Sequence, residues 1–259
     1  MSMFDLNGQV ALITGSSRGI GRAIAEGFAE HGARVVISSR QQAACDAVAA
    51  DINARYGDNR AIGLAANISS KEALQALVDR THEAFGRIDI LVCNAASNSY
   101  FGPMSGISDE QFRKTLENNV LATHWLIQMV APEMKTRRQG AIIVISSLGG
   151  YLGSVDIGAY NISKAADLQL VRNLAAEFGP ANIRVNAIAP GVIRTEFARA
   201  LYEKPEAESA LRRATPRGRI GEPQDIAGAA VFLASSASDH ITGQSIVIDG
   251  GMSIASRQF

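Results

Sequence analysis

Seven short runs rich in β-branched residues punctuate the chain, at 10–13, 34–37, 61–65, 88–93, 141–145, 183–188 and 245–248. The runs are predominantly apolar rather than alternating in polarity, which suits strands covered on both faces. Between consecutive runs lie enough residues for a crossover helix. A parallel sheet with helices on both faces meets both conditions, so the expected fold is α/β: a doubly wound, seven-stranded Rossmann arrangement. Two strandless stretches, 108–138 and 158–179, read as extra helices. The first opens on the capping-box pattern Ser108-Asp109-Glu110-Gln111, and Gly179-Pro180 stops the second. The charged region 195–220 breaks the strand rhythm and reads as a helical lid.

At roughly 150 residues per domain, 259 residues suit one large α/β domain, and no linker or composition shift divides them, so a single domain over 1–259 is expected. Hydrophobic residues make up 47% of the chain, enough to cover a sheet on both sides. Twenty-five basic side chains balance 25 acidic ones, without the basic excess that a phosphate backbone demands, and no nucleic-acid partner is expected. The purely apolar runs fall far short of the roughly 18 residues of a bilayer span, and the first nine residues carry no basic leader. No membrane partner and a cytoplasmic location are the expectations. The final Ser256-Arg257-Gln258-Phe259 do not spell the peroxisomal tripeptide. Cys45 and Cys93 stand without a CxxC pair or a histidine cluster, which points to reduced packing residues and no metal.

The first strand runs into Thr14-Gly15-Ser16-Ser17-Arg18-Gly19-Ile20-Gly21 and then an amphipathic stretch to Glu30. Glycine at such a turn permits positive φ, glycine at the helix start lets backbone N–H groups approach a pyrophosphate, and glycine in the first helical turn lets helix press on strand. Gly15, Ser17, Arg18, Gly19, Ile20 and Gly21 are therefore candidate cofactor-binding residues. No GK[ST] follows, so this is not a P-loop. The same residues spell G-x-S-x-G around Ser17, the pattern of a hydrolase nucleophile elbow. That rival needs a histidine late in the chain, and only His240 stands late.

After the second strand the chain reads Ser38-Ser39-Arg40, where an NAD enzyme holds the adenosine ribose with Asp or Glu. Arg40 with Ser39, and Arg18 from the glycine turn, would instead pair with a 2′-phosphate, which favours NADP over NAD.

Tyr160 and Lys164 stand four residues apart at the start of a long helix and share a face. A tyrosine normally titrates near 10, and a nearby cation lowers that value toward the range useful for proton exchange with a substrate oxygen. Ser146-Ser147 ends the fifth strand, Ser147 lying thirteen residues ahead of Tyr160, and Asn118-Asn119 sits in the preceding long helix.

Taken with Asn94-Ala95-Ala96 after the fourth strand and Pro190-Gly191-Val192-Ile193-Arg194-Thr195 after the sixth, these motifs make the chain resemble a classical short-chain dehydrogenase/reductase from about Gln9 to Gly251. The resemblance implies that Tyr160 is the acid/base, that Lys164 lowers its pKa and binds the nicotinamide ribose, and that Ser147 holds the substrate oxygen. It implies that Asn119 anchors a water linking Lys164 to solvent. Asn94, with Ala95, would support the cofactor floor, and Ile193 and Thr195, in the motif begun by Pro190 and Gly191, would contact the nicotinamide carboxamide. The choice of Ser147 over Ser146 and of Asn119 over Asn118 rests on the family spacing. Ala96 replaces the family's usual glycine. Asn67, followed by Ile68, replaces the usual acid that touches the adenine, and its amide oxygen can still accept that hydrogen bond.

The segments 36–40 and 90–96 are most similar to the NADP-dependent carbonyl reductase and retinol dehydrogenase branch. A homotetramer is what the family implies, with 226–234, the last strand and the helix from Gly158 as pairing surfaces. Hydride transfer between the cofactor and a ketone, aldehyde or alcohol is the expected activity. Tyr100, Phe101 and Tyr151, with Phe197, Leu201 and Tyr202 of the lid, point to an apolar or aromatic small-molecule substrate. Arg212, Arg213, Arg217 and Arg219 leave a 3-oxoacyl thioester as an alternative substrate. A cofactor-binding sensor without turnover is the alternative from another class, although such a chain would be expected to have lost Tyr160 or Lys164.

Overall fold

In the computed structural model, which describes residues 2–255, the strands are β1 (Val10–Thr14), β2 (Arg34–Ser38), β3 (Ala61–Gly63), β4 (Ile90–Cys93), β5 (Gly140–Ile145), β6 (Ile183–Pro190) and β7 (Ser245–Ile248). The C-terminal tetrapeptide, with its expected lack of a targeting signal, lies outside the described residues. Every pairing is parallel, and the order is β3-β2-β1-β4-β5-β6-β7. The helices are α1 (Gly19–Glu30), α2 (Gln42–Tyr56), α3 (Lys71–Phe85), α4 (Asp109–Leu116), α5 (Ala122–Arg137), α6 (Gly158–Phe178), α7 (Pro205–Ala214) and α8 (Gln224–Ala234).

The period of two within a strand explains why its apolar residues do not alternate with polar ones. Ala11 and Ile13 of β1 join one core with Phe28 of α1, Ile52 of α2 and Ile226 of α8, whereas Leu12 joins a second core with Leu77 of α3, Leu126 of α5 and Phe178 of α6. Both faces of the sheet are covered. Cys45 and Cys93 are buried free thiols, one in each core.

Two elements are shorter or more broken than their composition suggests. β3 ends at Gly63, where the Gln42 side-chain amide donates to the Gly63 carbonyl at 2.8 Å and accepts from the Ala65 N–H at 2.9 Å. The helix expected over 108–138 is interrupted by a π-helical turn, Glu117–Leu121, which carries Asn118 and Asn119. Its start is as expected: Ser108 and Gln111 form a reciprocal capping box.

The strand order reverses between β1 and β4. At the carboxyl ends of those strands the chain must diverge in opposite directions, leaving the crevice in which open α/β sheets hold their ligands.

Candidate active site

The floor of the crevice is the turn after β1. Gly15 and Gly19 take φ of +65° and +58°, the left-handed region that glycine enters without a Cβ penalty. A Cβ on Gly15 would stand 2.8 Å from Asn94 Nδ2, and one on Gly21 would run into the Gly15 carbonyl oxygen. Asn94 fixes this approach: its Nδ2 donates to the Thr14 and Gly15 carbonyls at 2.9 and 3.0 Å. Thr14 Oγ1 accepts from the N–H groups of Asn94 and Ala95 at 3.1 Å. Asn94, Ala95 and Gly21 thus hold the cradle's shape from behind.

α1 begins there with no side chain capping it and no acidic residue in its first turn. Its leading N–H groups are left for an anion. Ile20 packs on the first core. Ser17 bonds to no imidazole among the described residues, and His31 and His82 are engaged with the Gly27 carbonyl and Glu133. Nothing there assembles a hydrolase triad.

Beside the turn, the exposed side chains of Arg18 and Arg40 make no ion pair or hydrogen bond among the described residues. Arg22, one turn into α1, is by contrast engaged by Glu26 and Asp51, which hold its guanidinium above the usual arginine range. Ser39 Oγ lies 3.2 Å from Cys45 Sγ. Asn67 is exposed, and its Oδ1 already accepts the Ser69 N–H at 3.1 Å, so an adenine would meet a partly occupied oxygen. Ile68 packs against the second core.

The second wall comes from β5 and α6. Ser146 is buried and donates its hydroxyl to the Lys164 carbonyl at 2.8 Å. Ser147 is half-buried, and its Oγ accepts from the Gly149 N–H at 3.0 Å. The two neighbours are thereby separated: Ser146 braces α6, and Ser147 caps the short turn that follows β5. Asn119 is likewise buried, its amide spanning Ser97 N, Ser97 O and Ser163 Oγ at 2.8–2.9 Å. Asn118 engages Ser97 Oγ and Ser69 Oγ instead.

Tyr160 is half-buried in the first turn of α6, and Lys164 Nζ lies 5.7 Å from its ring centroid. Lys164 is 3% exposed and donates to the Ile145 carbonyl at 2.8 Å and to Asp167 Oδ2 at 3.0 Å. Burial opposes the ammonium, but Asp167 and Tyr160 outweigh it and hold Lys164 above the usual lysine range. Asp167 was not singled out in the sequence. Its signal was there: an acid three residues after a lysine shares that lysine's helix face.

Thr195 closes the crevice from above. Its Cγ2 would stand 3.2 Å from a Cβ on Gly19, so the end of the β6 segment touches the glycine turn. Pro190 ends β6, and a Cβ on Gly191 would meet Asp249 Cα at 2.8 Å. Ile193 pairs with Gly221 in a parallel bridge, which ties the two ends of the lid together. The lid carries α7, which buries none of its residues, and Tyr202 donates its hydroxyl to the Thr195 carbonyl at 2.7 Å. Phe197 packs 5.8 Å from Tyr160, ring to ring. Phe101, Tyr151, Leu152 and Val155 are exposed apolar groups in the loops preceding α4 and α6.

A doubly wound parallel sheet with a glycine turn after β1 and a tyrosine–lysine pair one turn apart on α6 is the arrangement of a dinucleotide-binding type of α/β protein. The family model described as enoyl-(acyl carrier protein) reductase matches residues 15–253. Dehydrogenase/reductase SDR family member 4 of Homo sapiens is 40% identical over 247 residues, 95% of this chain and 88% of that protein. The structure of gluconate 5-dehydrogenase from Burkholderia cenocepacia, in complex with NADP and tartrate, superposes with a TM-score of 0.92 at 33% identity over 98% of each chain. 7α-Hydroxysteroid dehydrogenase, complexed with NADH and 7-oxo glycochenodeoxycholic acid, superposes at 0.91 with 39% identity over 96% of this chain and 95% of that one. The chain belongs to the short-chain dehydrogenase/reductase family, and it is an oxidoreductase acting on CH–OH groups. Among the described residues no helix is long and apolar enough to cross a membrane, and no cluster of metal-ligating side chains occurs.

Proposed function

We propose that the protein reduces a ketone or aldehyde to an alcohol with NADPH, in the manner of the carbonyl reductase and retinol dehydrogenase branch. What supports this reading is that Tyr160 and Lys164 stand one turn apart on α6, with Lys164 Nζ 5.7 Å from the tyrosine ring, and that Ser147 follows Ser146, whose hydroxyl bonds the Lys164 carbonyl. The turn fits a dinucleotide: its glycines let β1, Asn94 and the start of α1 approach one another closely, and uncapped N–H groups border it. Gly15, Ser17, Arg18, Gly19, Ile20, Ser39, Arg40, Asn67, Ile68, Asn94, Ala95, Pro190, Gly191, Ile193 and Thr195 would line its path, with Lys164 at the nicotinamide ribose. A nicotinamide dinucleotide bound there supplies the hydride chemistry.

The chain's own part is to orient and to move a proton. Ser147 Oγ donates to the substrate oxygen and stabilises charge on it. Tyr160 OH gives its proton to that oxygen, assisted by the Lys164 ammonium, and proton transfer of this kind contributes about 10² to 10⁴ in rate. Asn119 braces Ser97 and Ser163 beneath the tyrosine and stands where a water could return the proton. Phe197, with Tyr151 and Phe101, would cover an apolar substrate and exclude solvent. Of the four lid arginines, Arg219 is paired with Asp225 and Arg212 with Glu208, while Arg213 and Arg217 make no ion pair among the described residues, so a 3-oxoacyl thioester stays the second reading.

NADP is favoured over NAD because Arg18 and Arg40 are the uncommitted cations beside a strand end that lacks a carboxylate. One charge-assisted contact is worth about 1.5–3 kcal/mol, roughly ten- to 150-fold in affinity. Arg40→Ala should weaken NADPH binding by that factor and leave NADH nearly unchanged, and Ser39→Asp should move preference toward NADH. Equal losses for both cofactors, or a wild type preferring NADH, would defeat this assignment. A ketone panel followed through NADPH absorbance tests the activity, with a nitrophenyl ester as the control for hydrolysis at Ser17.

The proposed assembly is a homotetramer, with β7 and α6 among the pairing surfaces; Val247 of β7 is 39% exposed. A light-scattering mass near the 27.4 kDa of one chain would exclude it.

A further inference from the structure

Two carboxylates are buried in the described residues, and they are partnered very differently. Asp89, 3% exposed, uses both oxygens: Oδ1 accepts from Arg87 Nε at 2.8 Å and Oδ2 from the Val10 N–H at 3.0 Å. Asp167, fully buried, binds only Lys164, through Oδ2, and its Oδ1 has no partner. A half-satisfied carboxylate in a core is costly unless its charge serves a neighbour. Asp167 lies three residues beyond Lys164 and seven beyond Tyr160 on α6, and so shares their face.

We infer that Asp167 is a positioning residue that holds the Lys164 ammonium against β5 and weakens its pull on Tyr160, so that the tyrosine keeps its proton for donation to a carbonyl. The inference rests on Tyr160 being the acid/base. Lys164 has three N–H groups, and Ile145 O and Asp167 Oδ2 take two of them. One remains for the crevice.

The carboxylate charge also opposes any charge on Tyr160 directly. Seven residues of helix separate the two by roughly 10 Å along the axis. At an effective dielectric of about 20, like charges at that distance correspond to roughly one pH unit. Among the groups facing Asp167 only the Lys164 ammonium carries an opposite charge, and it is present in wild type and variants alike. Lys164 and Tyr160 come from its own helix. From β4, Cys93 is held above the usual thiol range by burial first and by Asp167 second, so it stays a neutral thiol. Among the described residues β5 adds only the neutral Ile145 carbonyl and Ser146 near the pair.

The test uses the intact enzyme with Asp167→Asn, which preserves size and an oxygen for Lys164 Nζ, and with Asp167→Leu. Alcohol oxidation with NADP is followed against pH. In parallel the phenolate signal of the cofactor-free protein is recorded by ultraviolet difference against Tyr160→Phe. On the acid limb of the profile kcat/KM of Asp167→Asn should rise about tenfold, and the Tyr160-dependent phenolate signal should appear at correspondingly lower pH. Asp167→Leu should move both in the same direction.

Profiles and phenolate signals that superpose on wild type in folded variants would overturn the inference. So would a move to higher pH, which would mean that Asp167 chiefly keeps the lysine charged. If neither variant folds, the role is structural and the inference falls. If Tyr160→Phe retains wild-type turnover, the acid/base assignment itself has failed. An inactive Tyr160→Phe with an unmoved Asp167→Asn would indict only Asp167.

Discussion

The wall of the crevice and the lid above it are held by opposite means. Along α6, Asn161, Ser163, Lys164 and Asp167 are buried polar groups, and bonds from Asn119, Ser146, Ser163 and Lys164 tie this helix together and to its neighbours at 2.7–2.9 Å. The lid buries none of α7 and is held by Arg194 to Glu208 at 2.7 Å, Arg194 to Glu222 at 3.3 Å and Arg219 to Asp225, all at least a quarter exposed. Bonds shielded from water are costly to break and fix positions to fractions of an ångström, whereas exposed pairs contribute at most about 1 kcal/mol and are weakened by salt. Buried, mutually bonded polar groups therefore fix α6 against β5, whereas α7 is held chiefly by ion pairs open to solvent.

Tyr160→Phe probes the wall and should have the largest effect. NADPH binding by fluorescence should be retained, while turnover falls about 10²-fold or more; a variant keeping a tenth of wild-type rate would place the proton elsewhere. Gly21→Ala attacks the packing beneath the wall. A methyl there meets the Gly15 carbonyl and stands 2.6 Å from Asn94 Nδ2. Overpacking of this kind costs about 1–3 kcal/mol, and thermal unfolding should show the midpoint falling by several degrees.

Arg194→Ala probes the lid and should cost less than about 1 kcal/mol, the difference from wild type shrinking as salt is raised. Limited trypsin digestion should cut at Arg199, Arg212 or Arg213 before any site in α6. Early cleavage within α6 would reverse the assignment of rigidity. The smallest effect concerns the lid's hinge. The Arg219 guanidinium holds the Asp225 carboxyl down to about 2 from its ordinary 3.8. A depressed folded value means that this contact stabilises above pH 3.8 and is lost as pH falls toward 2. Denaturant titration should therefore show Asp225→Asn slightly less stable than wild type near neutrality, the gap narrowing across that window.

The same division governs what the sequence made legible. The strands announced themselves because burial on both faces leaves predominantly apolar runs, and the glycine turn because each of its small residues answers a close approach. Tyr160 and Lys164 were visible as a one-turn pair. Asp167 was not used, because its meaning depends on Lys164 turning inward to the Ile145 carbonyl, a partner 19 residues away. The π-helical turn at Glu117–Leu121 was invisible to a helical period that its extra residue barely disturbs. Arg18, Arg22 and Arg40 look alike in the chain. Only Glu26 and Asp51, brought to Arg22 by α1 and α2, tell the committed cation from the two left free.

The central claim is that hydride passes to a carbonyl carbon at a crevice where Tyr160 delivers the proton. The direct measurement is to reduce an aromatic ketone with NADPH carrying deuterium at the transferable nicotinamide position and to locate the label by mass spectrometry. Deuterium is expected on the carbinol carbon with wild type, and with folded, NADPH-binding Tyr160→Phe labelled product is expected to form at least about 10²-fold more slowly. Unlabelled alcohol from wild type, or labelled alcohol formed at an undiminished rate by the variant, would contradict it.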